Sequence, residues 1–467
     1  MVVPFPKRCS PRRQAAHIMK STSFAVALAG LVGPAAVMAD FDLIAGYEPA
    51  TDVVQHNNID LDLGGAESIN ACLKETPVNY ACAQEIYENG KHSFKSGTNP
   101  DGTPIARSIA GFSTGAPGKL DNELFYETFR TYWQSGTYAD DFTRSALEGT
   151  GVFAGAQDSA RIEGIKKGAA YQNVWMYVIW EMEDAIRDCD STGNGVHAWD
   201  EAMAFYTGSL EGTDGTGDGV LPYSLADKRC ENFATCIGND AQRADPATDE
   251  AGSRVNIRIL DLFKRGRDSL RQGDCLSPID LKKQIVEQMT VPLVQGSLRY
   301  VYLNDPVNLP PADMPKAQAE LWSFVAAILP RVASCDQRAA AEIRKNTQFG
   351  TSNLISDGHK DVKQLFESTY KCMGITCADV GQLSQGDGTP FPGMEMCSDG
   401  STQGGRGSGN LPGYGVALIV ILAILTLLAC VMGFFYRAKA QKDRALYEEF
   451  QMKHLNAPAG SAAPPTV

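Results

Sequence analysis

Histidine is scarce in this chain, six in 467 residues. Only His56, His92, His197 and His359 lie between the two terminal segments described below. No HExxH pair occurs, so a zinc protease lacks its ligand set. No CxxC pair occurs either, which removes the usual thiolate zinc site. A Walker A loop and a strand-borne GxGxxG are also missing, so nucleotide and dinucleotide chemistry have no positive sign. Basic charge is short as well. The 42 Lys and Arg face 55 Asp and Glu, a net −13, the wrong sign for general nucleic-acid binding. Paired carboxylates abound in any acidic chain and do not single out a glycosidase. The expectation is therefore a binding protein and not an enzyme.

What is present begins at the ends. Residues 1–39 hold Lys7, Arg8, Arg12, Arg13 and Lys20 but no acid, then an apolar core from Ser23 to Val32. Val37 and Ala39 supply the small residues of a signal-peptidase site. A start at Met1 or at Met19 fits this reading, and an organelle transit peptide is its rival. Near the other end, Val416 to Phe435 is apolar and uncharged. At 1.5 Å per residue it spans about 30 Å, enough to cross a bilayer. Arg437, Lys439, Lys442 and Arg444 follow as a positive-inside flank. The expected topology is a type I single-pass protein of the plasma membrane. Between the ends, 32 basic and 52 acidic residues leave the outward part at −20.

Ten of the 12 cysteines fall in that outward part; Cys9 goes with the leader and Cys430 with the span. An even number in a secreted segment predicts about five disulfides, with the pairing open. Helical periodicity dominates, over Asp121–Trp133, Arg161–Arg187, Trp199–Leu210, Val255–Leu270, Leu281–Leu303, Lys316–Val332 and Val362–Cys372. The expected fold is mostly α: a disulfide-bonded, duplicated helical ectodomain of two lobes, plus one C-terminal transmembrane helix. The domains are then signal 1–39, lobes 40–250 and 251–380, a Gly/Ser/Pro-rich stalk 381–413, span 416–436 and tail 437–467.

Duplication rests on three matches in the same order. Ile86–Phe94 lines up with Leu262–Leu270, Tyr177-Val178-Ile179 with Tyr300-Val301-Tyr302, and Glu201–Phe205 with Glu320–Phe324. Duplicated lobes commonly bind ligands in a crevice, and the first copy keeps more acids and tyrosines.

The stretch 171–236 is richest in chemistry. Tyr177, Glu181 and Asp184 share one helix face, away from Tyr171, Trp175, Val178 and Met182. Phenolate and carboxylate oxygens are hard donors suited to Fe³⁺ or Ca²⁺; a core tyrosine beside solvated acids is the plainer alternative. Glu181, between Trp180 and Met182, would need a partner if buried. Asp190–Glu201 fits a calcium loop in part, with Asp190, Thr192, Asn194, Gly195 and Glu201 in register but His197 at the eighth position. In the tail, Tyr447-Glu448-Glu449-Phe450 has the form of a clathrin-adaptor signal.

The run Trp199–Leu210, followed by Leu225-Ala226-Asp227-Lys228-Arg229-Cys230, resembles the algal iron-assimilation proteins, and among them the phytotransferrins, over roughly residues 60–380. The resemblance implies carbonate-dependent capture of Fe³⁺ at the cell surface, then endocytosis and release in acidified vesicles. Under it, Tyr177, Glu181, His197, Asp200, Glu201, Tyr206 and Tyr223 are the candidate ferric ligands, with Arg229 as anion partner. The rivals are a Ca²⁺-dependent adhesion or cell-wall protein and an ectoenzyme of unrecognised class.

Overall fold

The helical periods of the sequence become helices in the computed structural model, which describes residues 41–189, 194–237, 252–308 and 313–398. The signal 1–39, the span 416–436 and the tail signal at Tyr447 and Phe450 lie outside the described residues. No helix among the described residues is long and apolar enough to cross a membrane. The mostly α expectation holds. Strands among the described residues are limited to two short antiparallel pairs, Phe94–Thr98 with Pro104–Ala106 and Cys236–Ile237 with Gly252–Ser253.

Two long helices, Ser277–Asn304 and Met314–Cys335, pack against each other at the centre. The second buries every residue from Leu321 to Val332, so it is covered on all sides. Trp175–Arg187 packs in the same way on Asn194–Thr207. Arg254–Arg271 then lies across the latter, turning Val255, Ile259, Leu262, Phe263 and Leu270 inward at helical spacing. Contact there is close because Gly266 has no side chain; a Cβ would come within 2.1 Å of the Trp199 ring. The indole Nε1 of Trp199 donates to the Phe263 carbonyl at 2.9 Å.

The single helix expected over Arg161–Arg187 is broken in phase. Asp158–Gly168 runs into a π-helical turn, Ala169–Val174, before Trp175–Arg187 resumes. Asn173 fits that turn, its Nδ2 donating to the carbonyls of Gly168 and Ala139 and to Thr143 Oγ1 at 3.0–3.1 Å. Such turns rotate everything after them relative to a regular helix.

Five disulfides join Cys72–Cys82, Cys189–Cys275, Cys230–Cys236, Cys335–Cys372 and Cys377–Cys397. The last one changes the reading of the stalk. Leu383 and Met394 are buried, and backbone amides of Gln382 and Ser384 donate to Phe233 and Asn232 carbonyls. Residues 381–398 are thus folded onto the helices, and only 399–413 of the expected linker lie outside the described residues.

One sequence match does not survive as shared structure. Ile86–Asn89 ends a helix, Gly90 takes a positive φ of 68°, and Phe94 begins a strand. Leu262–Leu270 stays helical throughout. The other two matches pair helical segments in both halves.

Candidate metal site

Helix spacing builds one wall. His197, Glu201 and Phe205 follow at four-residue intervals on Asn194–Thr207, and Tyr177 and Glu181 do so on Trp175–Arg187. The opposite wall comes from the first quarter of the described chain. His56 sits on the short helix Val54–Asn57, and Arg107 follows the strand Pro104–Ala106. One ligand atom each from His56, His197 and Glu201 lie within 4.8 Å of one another. His56 Nε2 touches Glu201 Oε1, while His197 Nε2 and Arg107 Nη2 each stand 3.6 Å from that oxygen. Arg107 also contacts His56 Nε2 and the Phe94 carbonyl. The opening is on the His197 side, whose side chain is 42% exposed against 15% for Glu201.

Tyr177 closes the floor. Phe112 stacks on its ring at 3.7 Å between centroids, and Phe205 meets it edge-on at 4.9 Å. Its hydroxyl lies beside Glu181, and Glu181 beside Glu201. Burial, then the charge of Glu201, pushes Glu181 well above the usual carboxylate range. Burial also acts on Glu201, but the hydrogen bond from His56 and the charges of His56, His197 and Arg107 bring it below that range. Tyr177 is held well above the usual phenol value by burial and by Glu181. With Glu181 protonated and Glu201 ionised, the pair shares one proton.

A hydrogen-bond relay orients His197. The Thr51 hydroxyl donates to Asp200 Oδ2 at 2.8 Å, so its oxygen is left to accept from His197 Nδ1, 3.1 Å away. Nδ1 then carries a proton and Nε2 faces Glu201, as a donor in the charged imidazole and as a lone pair in the neutral one. An imidazole lone pair facing a carboxylate is unfavourable unless a cation lies between them, and such outer-shell orientation of histidine is typical of metal sites. Two carboxylates, a phenol and two imidazoles form a donor set for a hard or borderline cation.

The structure brings Tyr177, Glu181, His197 and Glu201 together. Asp200 points elsewhere, accepting from the Tyr47 hydroxyl, the amides of Ala50 and Thr51, and Thr51 Oγ1. Tyr206 donates to Asn256 Oδ1 at 2.7 Å, and Tyr223 packs at 6.1 Å from its ring. Arg229 lines a different cavity. Asp184 contacts Arg187 and accepts from Trp180. Asn194 to Glu201 is already helical, whereas a calcium loop wraps its backbone around the ion before its helix starts; residues 190–193 lie outside the described residues. Sequence reasoning did not assign His56 or Arg107. The scarcity of histidine was the available signal: His92 and His359 are each taken by an aspartate, Asp62 and Asp305, at 2.7 Å, which leaves His56 and His197. The other candidate trio, Cys72, Glu75 and Cys82, has both sulfurs in a disulfide.

Fold and site together define a disulfide-bonded helical protein with a buried histidine–carboxylate–tyrosine cluster suited to a cation. Residues 21–237, a little under half the chain, match the model of a family described as low iron-inducible periplasmic protein. That description agrees with the iron-assimilation family the sequence resembles. The whole cluster falls inside the matched stretch. No curated protein and no solved structure matches the chain.

Proposed function

We propose that the protein captures ferric iron outside the cell, with His56, Tyr177, Glu181, His197 and Glu201 as ligands. The observation that carries this reading is the convergence of His56, His197 and Glu201, with Glu181 and Tyr177 behind Glu201, inside the stretch that matches a low iron-inducible family. Iron is cargo here, not a resident cofactor, and the protein is not an enzyme. Carbonate is the synergistic anion, and Arg107 takes the anion role that the sequence assigned to Arg229. Its guanidinium faces Glu201 and His56 and suits the two-oxygen edge of carbonate. In the ion-free protein Arg107 offsets the charge of Glu201; with iron in place it is released to the anion.

Membrane anchoring through 416–436, endocytosis through Tyr447 and Phe450, and a clathrin adaptor as partner belong to the same proposal. So does duplication, supported by two helix pairs that place Tyr177 near Phe205 and Tyr300 near Phe324. Two imidazoles disfavour the calcium reading, since Ca²⁺ takes oxygen ligands. The test is to add Fe³⁺, as a weak chelate, and bicarbonate to the purified full-length protein. A tyrosinate-to-iron charge-transfer band should appear, fade when bicarbonate is removed, and be lost in Tyr177→Phe. No band, together with a melting temperature raised by Ca²⁺, would refute the proposal.

A further inference from the structure

A second cluster lies among residues the metal site does not use. Lys166 and Lys167, Lys228 and Arg229, Tyr300, and Lys316, Glu320 and Phe324 line a cavity of about 310 Å³, within the range of small-molecule pockets. Five of its lining residues are basic and two acidic, Glu163 and Glu320, in a chain whose overall charge is −13. The two acids are already engaged. Glu163 pairs with Lys166 and Lys167, with Lys316 at 3.9 Å, and Glu320 pairs with Lys167 at 3.0 Å.

Arg229 is the group left over. Its Nε and Nη1 are buried and have no hydrogen-bond partner among the described residues. Its guanidinium lies 5.9 Å from the Phe324 ring centre, and burial together with the like charge of Arg299 lowers its pKa. A buried cation without a counter-charge is costly, and a guanidinium presents donors in a fork that matches oxyanions.

The positions that the sequence repeat pairs sharpen the contrast. Tyr300, Glu320 and Phe324 stand where Tyr177, Glu201 and Phe205 stand in the metal cluster, and Tyr300 is hydrogen-bonded to Glu320. One turn before the glutamate, His197 is replaced by Lys316, which is likewise at the opening with its side chain 47% exposed. One turn after the tyrosine, Glu181 is replaced by Asn304. The second cluster keeps the tyrosine, glutamate and phenylalanine, with one ligand exchanged for a cation and one for a neutral amide.

We propose that this cavity binds a small, multiply charged oxyanion, held by Arg229 and by the lysines around it. The site is independent of the ferric reading, because the two clusters share no residue. The experiment adds phosphate or citrate to metal-free full-length protein and follows its melting temperature and titration heat, with chloride at matched ionic strength as control. A saturable stabilisation by phosphate, by citrate or by both supports the site and tells an inorganic source from a polycarboxylate one. Arg229→Gln should weaken that binding at least about tenfold, the worth of a charge-assisted hydrogen bond, and Glu201→Gln should leave it unchanged. Should Arg229→Gln not fold, Lys316→Gln at the opening provides the same reading with a smaller loss. Neither anion acting beyond chloride, or both basic variants binding as tightly as the unaltered protein, would overturn the proposal.

Discussion

Glu211 gives a quantitative test of how burial sets the charge of a carboxylate in this fold. It lies in the turn Ser209–Glu211, just beyond the helix that carries His197 and Glu201. The residue is 1% exposed, and its Oε1 has no hydrogen-bond partner among the described residues. Burial, then the negative charge of Asp227, pushes its carboxyl from 4.5 up to about 7. The folded protein therefore holds this proton more tightly than the unfolded chain does. As pH rises past 4.5 the unfolded chain releases it first, so stability falls up to about pH 7 and levels off beyond. A difference of that size corresponds to roughly 3 kcal/mol, or about 2 kcal/mol once solvent screening is allowed for.

Glu211→Gln keeps the shape and removes the charge. In urea titrations of the full-length protein, the variant should match the unaltered protein near pH 4. By pH 8 it should be about 2 kcal/mol more stable. Asp60, whose carboxyl burial raises to about 6, titrates in both proteins and largely cancels in the comparison. A stability gap of the same size at every pH would refute the reasoning, because it would place the effect in packing and not in the proton.

Three further outcomes follow from the packing and the relay. Thr51→Val removes the acceptor for His197 Nδ1 and should weaken iron binding about tenfold to a hundredfold, while its lost hydrogen bond to Asp200 costs about 1–3 kcal/mol of stability; equal affinity would remove Thr51 from the site. Gly266→Ala drives a methyl into the Trp199 ring and should cost about 1–3 kcal/mol, read from the urea midpoint, and an unchanged midpoint would mean the two helices separate freely. Cys189→Ser with Cys275→Ser opens a crosslink between residues 86 apart and should lower stability by about 4.6 kcal/mol on the chain-entropy model, a loss absent if the unfolded chain is already restrained.

The helices were legible because their apolar periods run long and their termini carry proline or small polar residues, as at Ser277–Asn304. The metal cluster was legible only along single helices. Four-residue spacing put Glu181 on the face of Tyr177, while His197 and Glu201 were read as positions of a loop and are instead one turn apart on a helix. The same local view included Asp200, yet neighbours on a helix point about 100° apart, and Asp200 turns to Tyr47 and Thr51. His56 and Arg107 reach the cluster across 145 and 94 residues from Glu201, a long-range pairing with no periodic trace. The match of Ile86–Phe94 to Leu262–Leu270 misled because Gly90 ends a helix while its counterpart Gly266 makes room for Trp199 inside one.

The π-helical turn Ala169–Val174 makes the angular setting of Tyr177 and Glu181 a matter of residue count as well as identity. A π-helical turn holds one residue more than a regular turn, so it absorbs a single inserted residue while the side chains after it keep their faces. Regularising the turn without shortening the chain would rotate Tyr177 and Glu181 by about 100° and swing both oxygens out of the cluster. Gene variants that lose a single codon there would run one regular helix from Asp158 to Arg187 with both oxygens still facing the ion.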